Sequence, residues 1–127
     1  MQEIQNREQL EFYLEKHHIQ DLFDTRDLPF RLYRYEVGEM MNILHPGQEY
    51  LKFIVEGSFD FYAIRADGVR DIFYHCKGFI FLGDLQFCGK DQGVRYQEVT
   101  QTVYAVELPM EPYRKQLRQD VKFLNFL

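Results

Sequence analysis

The chain has 127 residues and a mass of 15.4 kDa, enough for one compact domain and too little for a second full one. Hydrophobic residues make up 46% and charged residues 28%, a balance that excludes a disordered chain. The net charge of −5 opposes nonspecific nucleic-acid binding by this segment.

No apolar run approaches the roughly 18 residues that a membrane span needs. The longest, Gly78-Phe79-Ile80-Phe81-Leu82-Gly83, falls far short. The first six residues, Met1-Gln2-Glu3-Ile4-Gln5-Asn6, are polar and lack the pattern of a signal peptide, so a cytoplasmic location is expected. In such a compartment Cys76 and Cys88 have no reason to pair. Two thiols also cannot supply the four ligands usual for an iron–sulfur cluster or a structural zinc.

In chain order, Ile4, Leu10, Phe12, Leu14 and Ile19 predict a helix from residue 3 to about 18. Asp24, Asp27 and Pro29 break it, and Leu22 to Phe30 reads as a short helical turn or a loop. The alternation in Arg31-Leu32-Tyr33-Arg34-Tyr35 predicts a half-buried strand. Further strands are predicted at 40–44, 50–55, 59–64, 70–76, 94–99 and 102–106. Turns are expected at Val37-Gly38-Glu39, His45-Pro46-Gly47-Gln48, Glu56-Gly57-Ser58 and Ala66-Asp67-Gly68. Short strands with a glycine turn about every ten residues predict a jelly roll. Pro109 ends the strands. Met110, Tyr113, Arg114 and Leu117 suggest a helix, followed by an apolar run from Asp120 through Val121, Phe123, Leu124, Phe126 and Leu127. The fold class expected is therefore mainly β: a double-stranded β-helix spanning 30–108, with helical flanks at 3–24 and 110–127.

Five segments stand at the turns: Val37-Gly38-Glu39, His45-Pro46-Gly47, Val55-Glu56-Gly57, Ala66-Asp67-Gly68 and Leu82-Gly83-Asp84-Leu85. Together with Phe53-Ile54-Val55-Glu56-Gly57-Ser58-Phe59-Asp60-Phe61-Tyr62, their order resembles the cyclic-nucleotide-binding domain of the Crp/Fnr family of bacterial transcription regulators. The likeness covers about residues 25 to 118. Glu107-Leu108-Pro109-Met110-Glu111-Pro112-Tyr113-Arg114 also resembles the YeiL type within that family. The resemblance implies a sensor domain without enzymatic activity, a small-molecule effector and no membrane partner. It also implies a long dimerisation helix followed by a DNA-binding domain. This chain stops about where that helix would start, so homodimer formation and DNA contact are expected only of a longer protein.

The resemblance also implies a ligand site. In the family a Gly-Glu pair opens a short helix over the cyclic phosphate, the Glu holds the ribose, and an Arg pairs with the phosphate. Here Gly83 matches the Gly, Asp84 replaces the Glu, Leu85 follows, and Arg95 matches the Arg. Tyr96 and Gln97 stand where the family carries small residues. The loop 86–93 is about one residue longer than the pattern. Two arrangements fit. Gly83, Asp84, Leu85, Arg95 and Tyr96 surround cAMP or another small anion, with no other cofactor. Alternatively, Asp84 pairs with Arg95 and the space is filled by Tyr96, Phe87 or Phe81.

Other residues carry weaker signals. His17 and His18, adjacent on a helix, point about 100° apart and make poor joint metal ligands. His75 and Cys76 should face opposite sides of a strand. Cys88, near Lys90, is either a redox-sensitive thiol or a plain loop cysteine. A stand-alone jelly-roll domain, acting as an interaction module or as a cupin-like metal enzyme, is the alternative. It would rest on Gly38, His45, Glu49 or Glu56, Gly57 and His75. Gly47 stands where a cupin needs its second histidine, which breaks the ligand pair.

Overall fold

Two long strands organise the chain, and both change sheets along their length. The computed structural model describes residues 1–41, 49–89 and 96–127. Strand β1 is Gln2–Glu3, β2 Arg31–Tyr35, β3 Tyr50–Ile64, β4 Arg70–Lys77, β5 Ile80–Leu82 and β6 Tyr96–Pro109. Helix α1 is Arg7–Lys16, α2 Asp84–Phe87, α3 Arg114–Leu117 and α4 Val121–Phe126. Short 3₁₀ turns occupy Gln20–Leu22 and Glu111–Tyr113.

All strand pairs among the described residues are antiparallel. The first half of β3 pairs with β5 and with the second half of β6, which in turn pairs with β2. The second half of β3 pairs with β4 and with the first half of β6. The result is two sheets folded over one another, a jelly roll.

The turn expected at Glu56-Gly57-Ser58 is instead a bend inside β3. The register shifts between Ile54 and Glu56, between Glu56 and Ser58, and between Ser58 and Phe59. Gly57 has φ +98°, and a Cβ there would lie 2.2 Å from the carbonyl oxygen of Thr102. Only glycine fits so close an approach of two backbones. The break expected at Thr100–Gln101 is likewise absent, because β6 continues through it. The hairpin at Asp67-Gly68 is as expected. Gly68 has φ +84°, and Asp67 Oδ1 accepts from the Val69 amide at 3.1 Å. The strand predicted at 40–44 lies mostly outside the described residues, although Met40 bridges Glu98.

The roll separates two apolar clusters. Its interior holds Tyr35, Met41, Ile54, Phe59, Val99 and Val103, with Phe61, Cys76, Ile80 and Leu82 packed against them. The second cluster lies between the outer face of one sheet and the helices. Phe53 is central to it, with ring centroids 4.9 Å from Phe81, 6.3 Å from Phe23 and 6.3 Å from Phe126. Edge-on and tilted rings of this kind add about 0.5–1.5 kcal/mol per pair beyond the area they bury.

Helix α1 begins later than the sequence pattern suggests. Asn6 accepts from the Gln9 amide at 3.0 Å and caps the helix, while Gln2–Glu3 pairs with β2 as a strand. At the other end Asp120, 2% exposed, accepts from the Phe123 amide at 3.0 Å and caps α4. The same carboxylate accepts from the Asp24 and Thr25 amides at 2.9 and 2.8 Å and from the Thr25 hydroxyl at 2.7 Å. Asp24 returns the contact by accepting from the Lys122 amide at 3.1 Å. The two flanks thus cap each other.

Burial raises the Asp120 carboxyl, but these hydrogen bonds outweigh it and hold the group below its usual value. Its stabilisation is therefore complete at neutral pH and is lost as pH falls through the depressed native value. Asp120→Ala strands four donors and should cost about 2–3 kcal/mol in urea denaturation at pH 7. Asp120→Asn should flatten the loss of stability between neutral and acid pH, read from urea midpoints across that range.

Candidate functional site

Gly83 links β5 to α2 with φ +112°. A Cβ there would lie 2.8 Å from the Tyr50 carbonyl oxygen and 3.2 Å from the Leu51 Cα. The glycine is therefore required by the close approach of two backbones at the start of β3. Helix α2 is a single turn, closed by the Phe87 amide on the Gly83 carbonyl at 2.9 Å and the Cys88 amide on the Asp84 carbonyl at 3.0 Å. Asp84 is exposed at its start. Leu85 lies on the same turn, with its side chain outside the described parts. Arg95 also lies outside the described residues, as do Lys90 and His45.

Tyr96 opens β6 and is half-buried. Across the β3–β6 ladder it faces Tyr62, and Gln97 faces Phe61. Phe61 packs against the interior cluster, a register shift follows between Phe61 and Tyr62 on the β4 side, and Tyr62 is buried. There the Tyr96 and Tyr62 rings stack at 5.3 Å, with the Arg70 guanidinium 4.7 Å from the Tyr62 ring centre. Arg70 also pairs with Glu98 at 3.1 Å. Phe81 and Phe87 belong to the outer cluster. Phe81 packs on Phe53, and Phe87 packs edge-on against Phe123 at 5.2 Å. Phe81 is one residue out of phase with Ile80 and Leu82, which face the interior, and Phe87 lies on α2 rather than on a strand. The residues that do line the interior near α2 are Ile80 and Leu82.

The interior face carries a charged row that the sequence reading missed. Arg31, Glu107, Lys52 and Leu82 lie side by side across β2, β6, β3 and β5. Leu82 immediately precedes Gly83, so this row lies at the end of the roll where α2 departs. Lys52 is 4% exposed and Glu107 2% exposed. The Lys52 ammonium donates to the Tyr35 hydroxyl at 3.3 Å and to the Met41 carbonyl. The Tyr35 hydroxyl donates to Glu107 Oε2 at 2.5 Å. One proton direction satisfies the whole relay. Burial lowers Lys52, against the pull of the Glu107 charge. Burial raises Glu107, against the Lys52 charge and the Tyr35 hydrogen bond. Burial, and then the Glu107 charge, drive the Tyr35 hydroxyl well above its usual value, so at neutral pH it stays a donor. A signal for this row stands in the sequence. Lys52 interrupts Leu51, Phe53, Ile54 and Val55, and Glu107 interrupts Val106 and Leu108, with opposite sign.

Arg114 is the second residue that sequence reasoning missed. It donates to the Phe87 carbonyl at 2.9 Å and to Glu49 at 3.3 Å, and pairs with Glu111 at 2.8 Å. It thereby ties the last carbonyls of α2 to the C-terminal helical segment.

Elsewhere, His75 and Cys76 face opposite sides as expected. His75 meets Asp60 at 2.6 Å, and Cys76 packs into the interior. His17 stacks on Phe79 at 4.4 Å, and His18 faces Asp21 at 3.5 Å, so the two histidines do point apart. Cys88 is a free, exposed thiol just beyond α2. Among the described residues no group of three or more His, Cys, Asp or Glu is arranged to hold a metal. No described helix is long and apolar enough to cross a membrane.

No family model matches the sequence, and no curated protein matches it. Solved structures do match. Against a transcriptional regulator from Thermotoga maritima the TM-score is 0.60 at 14% identity, over 75% of this chain and 74% of that one. Against cAMP-bound PfPKA-R it is 0.58 at 13%, over 71% and 33%. Against the guanosine-bound regulatory subunit of a cAMP-independent protein kinase A from Trypanosoma cruzi it is 0.54 at 21%, over 76% and 38%. The chain spans about a third of the last two. It has the jelly-roll fold of cyclic-nucleotide-binding domains.

Removing one member of the buried relay should be costly, and removing both should be less so. Lys52→Met should lower stability by about 3 kcal/mol, because Glu107 is left buried without a counter-charge. Adding Glu107→Gln to that variant should recover at least about 1 kcal/mol in urea denaturation.

Proposed function

We propose that this chain is the ligand-sensing domain of a Crp/Fnr-like transcription regulator, with a site altered from that of cAMP binders. The observation that carries this reading is the placement of Gly83 and α2. A glycine-initiated turn closes the end of a two-sheet roll, in a fold whose solved examples include a transcriptional regulator and a cAMP-bound chain. Arg95, Asp84 and the backbone of α2 would meet a small anionic effector, and Leu85 and Tyr96 would flank it. The domain would act as a sensor without catalysis. DNA contact and homodimer formation would belong to a longer protein containing this domain.

The alteration has a physical basis. The interior beside α2 is occupied by Ile80, Leu82 and the Lys52–Tyr35–Glu107 relay, all satisfied by one another. A purine ring inserted there would have to displace close-packed side chains. A smaller anion held at α2 and Arg95 would not. Ligand binding would shift the position of α2, and Arg114 would carry that shift toward α3 through the Phe87 carbonyl.

Thermal melting with cAMP, cGMP and a panel of small phosphorylated and carboxylated compounds tests this reading. A ligand at about 100 times its dissociation constant adds roughly 2.7 kcal/mol, a rise of several degrees in a domain of this size. The expected outcome is no shift with the two cyclic nucleotides, a shift with a smaller anion, and loss of that shift in Arg95→Ala. A shift that survives Arg95→Ala, or none with any anion, would overturn the site assignment.

A further inference from the structure

Helix α1 and the segment leading into β2 line an open groove of about 700 Å³. Its apolar surface comes from Leu10, Leu14, Leu28 and Phe30. Its charged lining is one-sided: Glu8, Glu11, Glu15 and Asp27, against Arg7 alone. The groove continues into a cleft of about 390 Å³ that shares Gln20, Asp27, Leu28 and Phe30 with it and adds Asp21 and Asp24 to the acidic rim. Opposing cations there are Arg26 and Lys122.

Phe12 stands on the same wall and is 55% exposed, an unusual position for a phenylalanine. It lies four residues from Glu8 and three from Glu15, so the three share one stripe of α1. An exposed aromatic face that shares a stripe with carboxylates is the chemistry that binds ammonium and guanidinium groups. The chain itself shows this, since the Lys16 ammonium sits 5.8 Å from the centre of the Phe12 ring.

We propose that this groove is a docking site for a basic, partly apolar segment of a protein partner. Lysine or arginine side chains of that segment would meet Glu8, Glu11, Glu15 and the Phe12 face, and an apolar side chain would cover the half-buried Leu10. The sign of the rim rejects nucleic acid and favours a cationic peptide, with an association rate that falls as salt rises. The surface is separate from α2 and the roll interior, so the proposal stands apart from the sensor reading.

The test uses an amidated alternating Lys–Leu peptide as probe and its Glu–Leu counterpart as control, followed by amide shifts in NMR spectra of the whole chain. The Lys–Leu peptide is expected to shift residues 7–30 selectively, and the Glu–Leu peptide to shift none. Glu11→Lys with Glu15→Lys should weaken binding about tenfold or more. Phe12→Ala should weaken it severalfold. Glu36→Lys with Asp71→Lys, the same charge change placed elsewhere, should leave it within about twofold. Four of the five sites are exposed and Asp71 is half-buried, so folding is retained and is checked by melting. Equal weakening by both double variants would reduce the effect to net charge and overturn the proposal. So would shifts scattered over the whole chain. A dimer in sedimentation that Glu11→Lys with Glu15→Lys dissolves would make a second copy the occupant, and would overturn it too.

Discussion

The close approach of Gly57 to Thr102 lets one pair of strands serve two sheets. At that point the backbones of β3 and β6 come nearer than any side chain allows. Beyond it both strands turn, and their partners change from β2 and β5 to β4. The inward faces of the two halves then confront each other and make an interior. Without the bend, β3 would be a flat 15-residue strand with one buried face and no enclosed space. The positions of the charged row, of Ile80 and Leu82, and of α2 all follow from it.

A second level of organisation joins the roll to its flanks. The outer cluster around Phe53 draws rings from β5 through Phe81, from the segment before β2 through Phe23 and Phe30, and from α4 through Phe123 and Phe126. Two polar knots set the geometry of that apolar mass. Asp120 fixes α4 against residues 24–25, and Arg114 fixes α3 against the end of α2. The apolar contacts supply most of the cohesion and the knots supply direction, since only the latter depend on angle.

The amount legible in the sequence follows the same division. Alternation and glycine spacing located the strands, because both are local properties of the backbone. The hairpin at Asp67-Gly68 was readable for the same reason. Gly57 was not, because a glycine that permits a turn and one that permits a close crossing look alike until the partner strand is known. At the candidate site, Gly83 and Asp84 were found, and they do sit at the start of a helical turn. Whether Tyr96, Phe81 or Phe87 fills the site was left open by the sequence, because facing depends on register, and a slip of one residue reverses it. Lys52 and Glu107 escaped notice because a buried relay is a relation between strands, here between residues 55 positions apart. Arg114 escaped for a similar reason: its partners, Phe87 and Glu49, are remote in sequence.

The ladder between β2 and β6 has a consequence for how the chain is made. Tyr35 and Glu107, which share a hydrogen bond, are separated by 72 residues. A ribosome adds about 5–20 residues each second, so β2 waits several seconds for its neighbour. During that time β3 also lacks its longest partner, and the apolar faces of both strands are open to water. Hairpin β3–β4 can form early, since its ends are near in sequence. Everything that gives the domain an inside, including the capping of residues 24–25 by Asp120, must wait for the last quarter of the chain. The nascent domain is therefore vulnerable to aggregation and proteolysis until β6 is made, and it gains its protection nearly all at once.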